Sequence, residues 1–286
     1  MSKSMLKGVH RRALGIGFHD QVMAPSGFEA GGDGKPSVAF PSHDTVALFD
    51  DFLGDLVADE WAYVEGDTGY TGAIQTGTNG VFRILGSETQ AVAPDTAAAA
   101  LTGGLVKNWK VDSGGPKNGR LRLSARVKLE TVTRTAEGGR THAFVGFSDS
   151  GGAEMPAYDT GAGVISAAAD MVGFLFAPGG DTGWSLVSVK STAGDSGDQL
   201  AVAGASYGPS ANTYTTLEVE VRSGQSDTGG TAHFWIDGRK VGSIASPVNS
   251  ATAMTPWVGM WVQDTGAAQF MDIDYVAISA PRDTGL

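Results

Sequence analysis

The sequence predicts an all-β chain: a two-sheet antiparallel sandwich preceded by an extended arm. Three observations predict it. Glycine makes up 42 of the 286 residues, about twice ordinary usage, and comes with Ser, Thr, Asp and β-branched residues, the composition of many tight turns between short strands. Leu121, Leu123, Ala125, Val127 and Leu129 alternate with Arg120, Arg122, Ser124, Arg126 and Lys128, the period of two of a strand with one wet face. Asp237-Gly238 between two apolar runs signals a two-residue hairpin.

The arm comes first in the chain. Residues 1–43 hold five basic residues against three acidic ones, a surplus of two, whereas the remaining 243 hold 15 against 28, a deficit of 13. Pro25 to Pro36 is too dense in Gly and Pro for a helix or a central strand. The arm is nevertheless too apolar for a plain linker. Lys3, Leu6, Lys7, Val9, Arg11, Arg12, Leu14, Ile16, Phe18, Phe28 and Phe40 are therefore the candidate contact residues for a partner surface. The basic start has no apolar stretch behind it, so no secretory signal is expected, and no run is long enough to span a membrane.

From residue 44 to 286 the pattern is that of a sandwich. Candidate strands are Val46–Phe49, Val81–Leu85, Leu105–Val111, Gly119–Val132, Thr141–Phe147, Val172–Phe176, Trp184–Lys190 and Gln199–Ala203. Tyr214–Val221, His233–Asp237, Lys240–Ile244, Trp257–Val262 and Phe270–Ile278 complete the set. Phe49, Phe82, Leu123, Val127, Phe147, Phe174, Leu217, Val219, Phe234, Ile236, Ile273 and Tyr275 are the expected core. Only the alanine run Ala97–Leu101 hints at helix, and it is too short to nucleate one alone. Trp257 and Trp261 stand on one face of their strand with Gly259 between them, and both are expected to point inward.

Catalytic patterns are sparse. Cysteine is absent, which excludes disulfides and thiolate metal sites. His10, His19, His43, His142 and His233 show no zinc-binding spacing. Asp-Thr-Gly recurs at Asp67, Asp159, Asp181, Asp227, Asp264 and Asp283, but the residues before it are loop-like, so turn capping explains it better than an aspartic protease pair. Glu218 and Glu220 share a face with Thr216 and Arg222 and read as a solvated outer surface. An acidic body repels phosphates, which argues against nucleic acid as its partner.

An opening Phe49-Asp50-Asp51-Phe52 with Trp61 after it, the late hairpin Phe234 to Val241 and the closing strand Met271 to Ile278 resemble the concanavalin A-like lectin/glucanase jelly roll over roughly residues 45–281. The resemblance implies that opening and closing strands are neighbours. It also implies a candidate structural calcium held by Asp51 and Asp274. Glucanases of this superfamily carry Glu-x-Asp-x-x-Glu on one strand of the concave sheet, a spacing absent from this chain. The expectation is therefore no enzyme. An arm, an acidic jelly roll and the Gly/Ala/Thr-rich composition resemble bacteriophage virion decoration (cement) or fibre proteins. That resemblance implies a homotrimer made in the host cytoplasm and mounted on the capsid surface, with the major capsid protein or other virion subunits as partners. The alternatives are a lectin-like module for host-surface glycans or, further off, a glycoside hydrolase.

Overall fold

In the computed structural model the described residues are 45–53, 61–66, 69–75, 80–86, 98–103, 109, 120–132, 140–159, 164–178, 183–190, 201–202, 207–222, 230–249, 252–263 and 268–281. The chain divides into two units, Met1–Thr45 and Val46–Leu286. The arm and all of its candidate contact residues lie outside the described residues, and the architecture described is that of the second unit.

Its strands are β1 (Thr45–Asp50), β2 (Ala62–Glu65), β3 (Tyr70–Gln75), β4 (Val81–Gly86), β5 (Ala98–Thr102), β6 (Arg120–Leu129), β7 (Arg140–Ser148), β8 (Ala157–Asp159) and β9 (Val164–Ser166). The remaining strands are β10 (Met171–Phe176), β11 (Ser185–Val189), β12 (Ala201–Val202), β13 (Thr215–Arg222), β14 (Thr231–Ile236), β15 (Arg239–Ala245), β16 (Thr255–Gln263) and β17 (Gln269–Pro281). The first sheet runs β15-β14-β13-β6-β17-β4-β3, with β1 also on β17; the second runs β12-β11-β10-β7-β16-β5-β2; β8 and β9 pair by themselves. Opening and closing strands are thus neighbours, as the resemblance implies.

Alternation decides which side chains meet between the sheets. Leu121, Leu123, Ala125, Val127 and Leu129 of β6 point inward together with Leu217, Val219 and Val221 of β13. From the second sheet Ala143, Val145 and Phe147 of β7 and Val172, Phe174 and Phe176 of β10 face them. Phe174 meets Phe234 across the interior edge to face, with ring centroids 5.3 Å apart. Tyr70 on β3 ties the layers at the other end, where its Oη accepts the Val262 N–H at 2.8 Å.

Two turns fix where strands enter this core. Asp50 Oδ1 accepts the Phe52 N–H at 2.9 Å, and Phe52 adopts φ 52, which swings its ring into the interior fully buried. At the β14–β15 hairpin Asp237 and Gly238 have φ 49 and 76, the geometry that lets a two-residue loop follow the twist of its strands. The Asp237 carboxylate also accepts the Thr216 N–H at 2.8 Å, locking the hairpin onto β13.

Two expectations change, and a third falls largely outside the described residues. The alanine run is β5, buried along its whole length between β16 and β2, because tertiary pairing outweighs alanine's helix propensity. Phe49 is only partly buried and stacks on Tyr275 with centroids 6.0 Å apart; Tyr275 is buried as expected, but a register shift in β17 between Ile273 and Tyr275 turns it to the same side as Arg126, away from the interior. Of Leu105–Val111 only Trp109 is described, in an isolated bridge to Met254.

Candidate functional site

The sandwich offers two outer faces. On the second sheet the outward positions are His142, Phe144, Gly146 and Ser148 of β7 and Thr255, Trp257, Gly259 and Trp261 of β16, set side by side by the register. Gly146 and Gly173 are cross-strand partners. A Cβ on Gly173 would lie 2.8 Å from the Phe144 Cζ, so the glycines are what allow that ring to lie across β7 and β10. Trp257 and Trp261 are both buried, as expected, but in a second apolar cluster on the outside of the sheet instead of the interior.

The chain itself covers this cluster. Met155, Ala157 and Ala168 belong to it, and Tyr158 packs against it, its ring edge-on to Trp261 at 6.0 Å. Trp257 Nε1 donates to the Gly152 carbonyl at 3.1 Å. Asp170 closes the other end: its two oxygens accept from Asn249 N at 2.7 Å and Thr252 Oγ1 at 3.0 Å. His142 stacks on Trp261 at 4.5 Å. Among the described outward positions of β5, β7, β10, β11 and β16 there is no carboxylate, whereas a retaining glycosidase needs two about 5 Å apart.

The outer face of the first sheet is charged. Asp272 sits between Arg83 Nε at 2.6 Å and Lys128 Nζ at 2.8 Å. Burial alone would raise its pKa, but the hydrogen bonds from Arg83 and Lys128 hold the carboxyl below the usual carboxylate range. Arg83 and Lys128 also lie over the Phe270 ring, at 4.0 and 5.5 Å, and Arg126 over Tyr214 at 4.7 Å. Glu218 pairs with Arg122 at 2.8 Å, and Glu220 with Arg222. Both glutamates point outward as expected, yet they are not solvated: each is almost fully buried, covered by the arginines that pair with it. The β13–β6 register brings Arg122 to Glu218, a pair that spacing within β13 does not display, whereas Glu220 and Arg222 are two residues apart on the same face of β13.

The two acids proposed for calcium are placed apart in role. Asp274 Oδ2 pairs with Arg126 Nη1 at 2.7 Å, so a guanidinium supplies its counter-charge. Asp51 Oδ1 accepts from the Leu53 N–H at 3.4 Å in the turn after β1. No group of three His, Cys, Asp or Glu side chains able to hold a metal occurs among the described residues. Of the Asp-Thr-Gly aspartates only Asp159 is described, at the end of β8.

No protein-family model and no curated protein matches the sequence. Solved structures do. A GlcNAcα1-4Gal-releasing endo-β-galactosidase from Clostridium perfringens aligns with a TM-score of 0.50 and 13% identity over 85% of this chain and 65% of that one. A glycoside hydrolase family 16 endo-glucanase from Bacteroides ovatus aligns with a TM-score of 0.50 and 14% identity over 81% and 99%. The carbohydrate recognition domain of Emp47p aligns with a TM-score of 0.50 and 12% identity over 84% and 98%. At these identities the likeness is one of architecture: the chain has the concanavalin A-like jelly-roll fold, a lectin-like sandwich shared by proteins that cut glycans and one that recognises them.

Proposed function

We propose that the protein is a non-enzymatic structural component of a virus particle, a capsid decoration protein whose arm of residues 1–43 anchors it to the shell and whose sandwich projects outward. One observation carries the non-catalytic half of this reading. The described outward positions of β5, β7, β10, β11 and β16 carry no carboxylate and are filled by the chain's own aromatic cluster, Asp170 at its end is held by Asn249 and Thr252, and Asp272, Asp274, Glu218 and Glu220 on the first sheet are engaged by arginine and lysine. The anchoring half rests on composition: the arm's basic and apolar side chains can contribute wide burial only against a partner, and ordering on contact is how such segments bind. The partner would be the major capsid protein, and a homotrimer suits a decoration site at a local threefold axis.

The test is binding of the full chain and of a chain lacking residues 1–43 to undecorated shells. The full chain should saturate its sites and the shortened one should fail to bind. Full occupancy by the shortened protein would overturn the anchoring role, and turnover of a β-glucan by purified protein would overturn the non-catalytic one.

A second reading, lectin-like glycan binding, is favoured by one feature of the first sheet. Trp235 is partly exposed on its outer face, with His233 beside it at a ring separation of 5.9 Å.

A further inference from the structure

Around Trp235 the first sheet presents cations upward and keeps its carboxylates beneath. In every ion pair on this face the basic partner is the more exposed. Arg222 keeps 44% of its side-chain surface against 5% for Glu220, and Arg126 keeps 41% against 23% for Asp274. At the β13–β15 end this arrangement is unbalanced. Arg120 and Arg222 are direct cross-strand partners, both exposed, and like charges placed opposite each other repel. Arg122 and the exposed Lys240 add two more cations, against the buried pair Glu218 and Glu220 and the hairpin Asp237, whose carboxylate accepts the Thr216 N–H, so that these four cations stand against three carboxylates. These cations stand out on a chain that carries a net charge of −11.

We infer that this corner binds an anionic oligosaccharide, with a sugar ring on Trp235 and the acidic group of a neighbouring sugar between Arg120 and Arg222. The inference rests on the glycan-binding reading and deepens it. The register sets the scale: Trp235 lies opposite Glu218, and Arg222 lies four residues further along the same strand, roughly 13 Å at ~3.3 Å per residue. A ligand touching both ends is therefore a short chain, not a single sugar. A guanidinium pair accepts a carboxylate or a sulfate in a fork, and an anion between Arg120 and Arg222 removes their mutual repulsion. Duplex DNA fits less well, because the remainder of the chain is acidic and repels a long polyanion.

The experiment is calorimetric titration of the full chain at low salt with four probes: a galacturonate oligomer, a sulfated galactan oligomer, the neutral galactose oligomer and duplex DNA of matched charge. At least one acidic sugar should bind, the better of the two naming the acidic group. Arg120→Glu and Trp235→Ala should each weaken that binding by ~10-fold or more, as expected for central Arg and Trp contacts. Lys190→Glu, at an exposed position after β11 in the other sheet, makes the same change in net charge without touching the Trp235 face and should leave binding within about twofold when the titration is repeated at 0.15 M salt, where charges beyond about 8 Å are screened. Equal weakening by Lys190→Glu, no effect of Arg120→Glu, or DNA binding as tight as the sugars would overturn the proposal. Equal binding of the neutral oligomer would overturn it while sparing the broader glycan reading, and absence of all sugar binding would remove both.

Discussion

Asp272 shows how a charged side chain can be buried on an outer face. It is 2% exposed, and the bidentate contact from Arg83, at 2.6 and 2.9 Å, together with Lys128 makes that burial tolerable. Because its pKa lies below the unfolded value of ~3.9, its contribution is fully present at neutral pH and is lost as pH falls through the lower folded value. Asp272→Asn should therefore cost about 2 kcal/mol at pH 7, less than the ~3–5 kcal/mol of breaking a fully buried pair because Arg83 remains a third exposed. The penalty should shrink in strong acid. Urea titrations at pH 7 and pH 3 measure it, and an equal loss at both would show that Asp272 acts by packing and not by charge. This pairing was only half legible. The sequence places Asp272 and Lys128 on outward positions of alternating strands, but their meeting depends on the β17–β6 register. The same gap hid Arg122, which covers Glu218 from the neighbouring strand.

At the scale of elements, long alternating strands were readable and short covering pieces were not. β6, β13 and β14 lie where periodicity puts them because each has one apolar face and one polar face. β2, β8 and β9 have three or four residues each, too few for a period to show. Residues 149–158 and 166–170 therefore read as loop, although they seal a second cluster over the outer face of the second sheet. That cluster explains why β7, β10 and β16 are buried on both faces, a pattern sequence reading associates with a central strand and not with a covered sheet. Its weak point is the Gly146–Gly173 pair. Gly173→Ala would set a methyl 2.8 Å from Phe144 Cζ and 2.6 Å from the Val145 carbonyl oxygen. Since backbone cannot move aside as a side chain can, the substitution should destabilise by about 2 kcal/mol, within the range for overpacking. It should also make Trp257 and Trp261 more accessible to an aqueous fluorescence quencher. Unchanged stability and quenching would mean that the Phe144 ring does not rest on this pair.

For the whole molecule the decisive question is where the sandwich begins. The composition shift placed the boundary at residue 44, and β1 starts at Thr45. β1 pairs with β17, Phe49 stacks on Tyr275, and Asp50 caps the turn that delivers Phe52 to the interior. A chain starting at residue 44 keeps all of these contacts; one starting at residue 51 loses the strand, the stacked ring and the cap together. In a body of about 240 residues each kcal/mol shifts the melting temperature by roughly 2–4 °C. Removing residues 1–43 should accordingly move melting by no more than about 2 °C. Removing residues 1–50 costs a ladder edge, an aromatic contact and a cap at about 1 kcal/mol apiece, and should lower melting by roughly 10 °C. Paired thermal scans of the two shortened chains decide it. Equal melting of both would make β1 dispensable, and unfolding of the longer one would mean that the arm completes the core, in which case loss of shell binding on truncation would no longer report an anchor.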